Sequence, residues 1–151
     1  MANTTYRELA DAVFSKITER SFCEMSEEDA YQIVIGYLRP AIVNFQSAKQ
    51  DLSKRDDELG QFQFSLSDDT FIILVNYMVI EWLTSTYILT GQVLKARMST
   101  ADYHKIDTKD MLSKAKELRN ELLKENGQLA INKSYKNSKL FDLVTNRKKV
   151  Y

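Results

Sequence analysis

Apolar residues recur at helical spacing in four stretches of this chain. In the first, Tyr6, Leu9/Ala10, Val13 and Ile17 fall at i, i+3/4, i+7 and i+11, and Phe14 widens the face. Thr5 with Glu8 three residues on makes a capping box, so a helix is predicted from there to about Arg20. The second begins at Ser26, a cap residue followed by Glu27, Glu28 and Asp29, three acids suited to the positive end of a helix dipole. Tyr31, Val34, Leu38, Ala41 and Phe45 carry its stripe to about Ser47. Pro40 lies inside that stripe. Its missing N–H and its ring predict a bend or a restart, with Arg39 pushed out of the right-handed helical region.

The third stretch follows Ser67, Asp68 and Asp69 and is predicted to run to about Met98. Its first half, Phe71 to Ile80, is apolar nearly all round, the signature of a helix central in a core or in a membrane. Phe71–Leu89 has the length of a membrane span. It also holds Asn76, Glu81 and ThrSerThr at 84–86, with no basic cluster on either flank. A central carboxylate costs about 2.5–3.5 kcal/mol on insertion scales, so the core is the favoured destination. The fourth stretch is capped by Asp107 or Thr108 and lined by Met111, Ala115, Leu118 and Leu122. Gly127 is predicted to close it at C′.

Between the second and third helices, residues 48–66 form the least regular internal segment. Such long connections are often functional. Within it Phe62, Phe64 and Leu66 alternate with polar residues, a period of two that predicts a short strand. Two sources of a mate are open: residues 129–133, or a neighbouring subunit, which makes Phe62 and Phe64 candidate oligomer-interface residues. The competing reading has both rings pinning the loop to the core.

Composition agrees with long helices. Of 151 residues, 44% are hydrophobic and 28% charged, with only four Gly and one Pro to punctuate β-rich structure. The predicted class is all-α: a four-helix body around a long central helix, a long loop between helices 2 and 3 with a possible short strand, and an extended C-terminal arm. The net charge of zero hides a split. Residues 1–127 hold 15 of 21 Lys/Arg and 20 of 21 Asp/Glu, so they carry −5 while residues 128–151 carry +5. We therefore divide the chain into a helical body, 1–127, and a basic arm, 128–151. A single Cys23 forms no internal disulfide and the N-terminus lacks the pattern of a secretory signal, so cytoplasmic synthesis is expected.

Catalytic chemistry finds little to build on. His104 and Cys23 are each the only residue of their kind, which rules out multi-histidine zinc sites and CxxC pairs. No GxSxG elbow and no glycine-rich phosphate loop is present. The doublets Asp56-Asp57 and Asp68-Asp69 offer Mg²⁺ ligands for a metal-dependent nuclease, but a helix cap and a solvated loop account for them more simply. No catalytic, cofactor-binding or metal-binding residue is assigned, and an enzyme is not expected.

The arm carries the functional signal. Lys133, Lys136 and Lys139 recur every three residues, Arg147, Lys148 and Lys149 form a cluster, and Tyr135, Leu140, Phe141, Leu143, Val144 and Tyr151 are interleaved. Basic and aromatic residues together can track a phosphate backbone and stack on bases, so a small helical nucleic-acid-binding regulator is one reading. The acidic body and small basic patch argue against it. The favoured reading has the apolar residues as anchors in a partner's groove and the cations as rim contacts, with the arm ordering as it binds.

With a long apolar helix (Asp68–Met98), a following charged helix (Thr108–Asn126), a long inter-helix loop and a basic C-terminal arm, the chain resembles the head-to-tail connector, or adaptor, proteins of tailed bacteriophages. The resemblance covers most of the chain and lies in layout. It implies a virion protein of the neck, made in the host bacterial cytoplasm, forming a ring commonly of twelve subunits below the portal. Such a ring would extend the DNA channel without sequence-specific binding or membrane contact, and its partners would be the portal and neck or tail proteins. Carried onto this sequence, the arm that docks the portal is Leu129–Tyr151, including Ile131, and the ring surface includes the 48–66 loop.

Overall fold

The computed structural model describes residues 2–17, 20–89 and 106–136. The described residues are mostly helical, about 70% helix and 5% strand. Helix α1 (Tyr6–Lys16) starts at the capping box: Glu8 N–H donates to Thr5 Oγ1 at 3.2 Å and Thr5 N–H to Glu8 Oε2 at 2.9 Å. It buries Tyr6, Leu9, Ala10 and Val13 and ends at Lys16, where Ile17 turns extended. A short α2 (Arg20–Glu24) follows. Helix α3 (Glu27–Ile35) is capped by Ser26, whose hydroxyl accepts from Asp29 N–H at 3.2 Å.

The second predicted helix is two helices, and the break lies upstream of the proline. It falls at Gly36-Tyr37, and α4 (Leu38–Asn44) begins two residues before Pro40. Pro40 thus occupies the first turn, where its missing N–H removes no intrahelical bond. Arg39 is helical, against expectation. A Cβ at Gly36 would sit 3.1 Å from the Ile33 carbonyl, so the close approach at the break suits glycine.

The 48–66 segment is tied down by its own chain. Strands β1 (Arg55–Asp56) and β2 (Gln61–Phe62) pair antiparallel, Arg55 with Phe62 and Asp56 with Gln61. On its other side, the β2 region meets the N-terminus: Phe62 N–H donates to Thr4 O at 2.9 Å, Thr4 N–H to Phe64 O at 3.2 Å and Tyr6 N–H to Gly60 O at 2.8 Å. Of the two mates left open for this strand, residues 129–133 are instead helical. Gly60 has φ of +63°, a left-handed turn conformation costly to other residues. Phe62 is completely buried, edge-on to Tyr6 at 5.6 Å between ring centroids. It belongs to the core of its own chain, in line with the reading in which the ring pins the loop to the core. Phe64, 5.9 Å from Phe62, is half-buried against the same core.

Helix α5 (Asp68–Leu83) is capped by Ser67 and packs against α1, α4 and the last helix, α6 (Ile106–Lys136). Ile73, Leu74, Val75, Tyr77, Met78, Ile80, Trp82 and Leu83 are all buried, as an apolar circumference requires. Asp68–Ile88 is long and apolar enough to cross a membrane by length and composition, and half of that window is buried within the fold. Glu81 accepts a hydrogen bond from Asn44 Nδ2 at 2.8 Å, joining α5 to α4. Beyond Leu83 the helix widens into a π-helical segment, Thr84–Leu89, where the Thr84 hydroxyl donates to the Ile80 carbonyl at 2.9 Å. The predicted continuation to Met98, and His104, lie outside the described residues.

Candidate functional site: the outer face and groove of the last helix

Helix α6 is where the predicted site residues meet the fold, and it runs straight through the predicted boundary. Gly127 is inside the helix, with open space where a Cβ would point, and the helix continues to Lys136. A glycine in a helix interior costs about 1 kcal/mol relative to alanine, which tertiary packing on both sides outweighs here. Leu122 and Leu123 rest on the core, and Asn126 and Ala130 are buried. These positions form one stripe at i, i+4 and i+8 against α5, extended by Lys133. Leu118, predicted on the inner stripe, continues that spacing one turn upstream but is 46% exposed.

The register of α6 on α5 is held by a chain of polar groups. Asn126 Nδ2 donates to the Ile73 carbonyl and Asn76 Nδ2 donates to Asn126 Oδ1, both at 3.2 Å. Asn76 Oδ1 in turn accepts from Lys16 Nζ on α1. Because Asn126 is only 4% exposed, its two bonds satisfy groups that water does not reach. At the far end, Lys133 Nζ forms an ion pair with Asp69 Oδ1 at 2.9 Å, in the first turn of α5. A cation there complements the two acids of the α5 cap.

Alongside this seam lies a groove of about 380 Å³ with walls from α1, α5 and α6. Val79, Ile80, Leu122 and Leu129 give it an apolar floor, and Lys16, Asn76, Glu125 and Asn126 a polar edge. Glu125 and Leu129 also line a shallower hollow of about 480 Å³ with Glu121, Lys124, Gln128 and Asn132.

The predicted partner-binding residues divide as follows. Leu129 and Ile131 are on α6 and exposed, at 36% and 44%. Lys133 is engaged with Asp69, which withdraws it from a free basic patch. Tyr135 and Lys136 are in the last turn of α6, and only their backbone is described. Lys139, Leu140, Phe141, Leu143, Val144, Arg147, Lys148, Lys149 and Tyr151 lie outside the described residues. What sequence reading missed is the groove. Asn126 and Ala130 continue the spacing of Leu122 and were the available signal, but Gly127 masked it.

A second polar cluster sits where the β1–β2 turn meets α1 and α4. The Asp57 carboxylate accepts from Tyr6 Oη–H at 2.6 Å and from Arg39 at 3.2 Å, with Arg55 Nε 3.3 Å away. Burial, reinforced by the hydrogen bond to Asp57, pushes the Tyr6 phenol above its ordinary range. The bond from Tyr6, then that from Arg39, holds the Asp57 carboxyl below the usual carboxylate range. Asp56 Oδ1 accepts from Glu58 N–H and Leu59 N–H at 3.0 and 3.1 Å, closing the turn. Asp56, Asp57 and Asp69 thus each have a structural partner. Among the described residues, no group of three or more His, Cys, Asp or Glu side chains is placed to hold a metal ion.

Protein-family models, curated proteins and solved structures were each compared with this chain, and none matches.

Proposed function

We propose that this chain is a non-enzymatic structural adaptor of a tailed bacteriophage, a subunit of a ring below the portal that docks its partner through the C-terminal segment. The ring, commonly of twelve subunits, would continue the DNA channel toward the neck or tail. The observation that carries this reading is the organisation of α6. One side is locked onto the central helix by Asn126, Ala130 and Lys133, while Leu118, Leu129 and Ile131 face outward and the helix leads directly into residues 137–151. Exposed apolar side chains beside a basic, apolar-rich segment suit a protein partner, whose pocket desolvates the anchors while the cations contribute rim contacts. The docking segment begins after Lys136 in this reading, later than residue 129, because residues 129–136 are helical and partly committed to the body.

The test is co-assembly. The full chain, mixed with a phage portal ring encoded beside it, should sediment with the portal and appear as an added ring by electron microscopy. Replacing Leu140, Phe141, Leu143 and Val144 with Asp should abolish co-sedimentation while leaving the far-ultraviolet circular dichroism unchanged. Undiminished binding by that variant, or no binding by the wild type, would overturn the proposal. A DNA mobility shift that is lost on neutralising Arg147, Lys148 and Lys149 would assign the arm to nucleic acid instead.

A further inference from the structure

Beyond Leu83 the contact between the central helix and α6 slips by one residue. The face of α5 that meets α6 runs Asp69, Ile73, Asn76, Ile80 and Leu83, at alternating steps of four and three. The next member of that series is Tyr87, four residues on. Yet Tyr87 is 44% exposed and Ile88 is buried, at 2%. On α-helical geometry Ile88 would lie about 140° around the axis from Leu83. The π-helical turn Thr84–Leu89 takes up the extra residue and brings Ile88 back toward α6, against which this segment packs. Tyr87 is left outside, edge-on to Trp82 at 5.5 Å between ring centroids.

The facing side of α6 carries a matching fault. Lys133 pairs with Asp69 and Asn126 with Asn76, so the helices are antiparallel and seven residues along α5 correspond to seven back along α6. Seven more bring Arg119 level with Leu83. Arg119 Nε is shut off from water and has no hydrogen-bond partner among the described residues, while its Nη2 donates to Asn120 Oδ1 at 3.3 Å. A buried N–H without an acceptor is costly. Long side chains on a helix point back toward its N-terminus. A tyrosine next in the α5 series would thus reach back toward the level of Leu83 as Arg119 reaches from the other helix the opposite way, and the phenol would meet the guanidinium.

We propose that Thr84–Leu89 is a register switch. In one state the π-helical turn stands and Ile88 packs against α6. In the other, α5 continues as an unbroken α-helix, Tyr87 takes the place of Ile88, and its hydroxyl accepts from Arg119 Nε. The first state keeps the contact between Trp82 and Tyr87 and leaves Arg119 Nε unpaired; the second pairs it and removes the widened turn, at the loss of that contact. The exchange trades an exposed tyrosine for an exposed isoleucine and turns the helix end at Leu89 by about 100°. A partner that touches one of these two surfaces shifts the balance toward it. The switch is independent of which partner that is.

Helix register shifts take microseconds to milliseconds, so NMR relaxation dispersion on the full chain tests it. The wild type should show exchange at the amides of residues 84–89 and at Arg119 Nε–H. Tyr87→Phe keeps the ring but removes the acceptor, and should lower the minor population at least fivefold. Deleting Thr86 removes the extra residue, so that an unbroken α-helix presents Ile88 to α6; the exchange should vanish with the circular dichroism retained. Ile88→Ser should reverse the populations, and Trp82, the only tryptophan of the chain, should report the lost Tyr87 contact as a change in fluorescence. A flat dispersion profile in the wild type would overturn the proposal, as would undiminished exchange in Tyr87→Phe or in the deletion. Should either change at 86 or 88 prevent folding, the wild-type profile and Tyr87→Phe, at an exposed position, still decide the matter.

Discussion

Phe62→Ala separates a core role from an interface role at the residue where the two readings diverge most. The Phe62 side chain is fully buried, packed edge-on against Tyr6 and tilted against Phe64. Truncating a buried phenylalanine costs about 3–5 kcal/mol, from lost transfer energy and the cavity left behind. Loss of two aromatic contacts, each adding about 0.5–1.5 kcal/mol, places this site toward the upper half, near 4 kcal/mol. The hydrogen bonds that fix the backbone on both sides of Phe62 limit how far the site can collapse.

For a chain of this length, 1 kcal/mol at the midpoint moves the melting temperature by about 2–4 °C, so a drop of roughly 8–16 °C is expected. Thermal melts followed by circular dichroism on dilute protein would measure it. Phe64→Ala, at a half-buried position, should cost about half as much. A Phe62→Ala protein that melts within about 2 °C of wild type but fails to assemble would refute the core assignment.

Other perturbations read the same structure at separate points. Thr5→Ala removes the α1 cap and should cost about 1 kcal/mol in urea unfolding. Gly60→Ala forces a Cβ into a left-handed turn and should cost about 1–2 kcal/mol; the nearest atom to that Cβ, Tyr6 Cδ2 at 3.9 Å, leaves room, so the effect is conformational. Because the Asp57 carboxyl is depressed in the folded state, its contribution is complete above the ordinary carboxylate pKa and declines as pH falls through the lower folded value. Unfolding free energies measured from pH 6 down to pH 2 should therefore fall less in Asp57→Asn and in Tyr6→Phe than in wild type. Gly127→Ala fills open space inside α6 and should stabilise by about 0.5–1 kcal/mol; destabilisation would mean that the helix is interrupted there after all.

The helix starts were legible because capping chemistry is local: Thr5 with Glu8, Ser26 and Ser67 each sit where their sequence neighbours place them. The ends were less so, because a stop depends on what the next turn packs against. Gly127 reads as a terminator in isolation, and only the burial of Asn126 and Ala130 against α5 carries the helix past it. Pro40 reads as a kink in isolation, and the break at Gly36-Tyr37 moves it harmlessly into a first turn. The strand at Phe62 showed in its period of two, but its partners, Arg55 and the backbone of Thr4, come from a turn and a terminus with no alternation of their own. The groove was illegible for a related reason, since its walls come from three helices distant in sequence.

The seam between α5 and α6 constrains how any partner can use this chain. A partner that took residues 129–136 as part of an extended arm would have to pull Ala130 from the core, break the Lys133–Asp69 pair and strip Asn126 of its nearby packing. The ion pair itself is partly exposed, 38% and 48%, and contributes at most about 1 kcal/mol. Asn126 is different: leaving its buried amide without partners costs about 1–3 kcal/mol, which resists peeling further into the helix. The low-cost place for the chain to change course therefore lies between Asn126 and Lys136, with resistance rising toward Asn126. The last turns of α6 can fray at little cost, and the asparagine pair marks how far that fraying can run before the body itself begins to open.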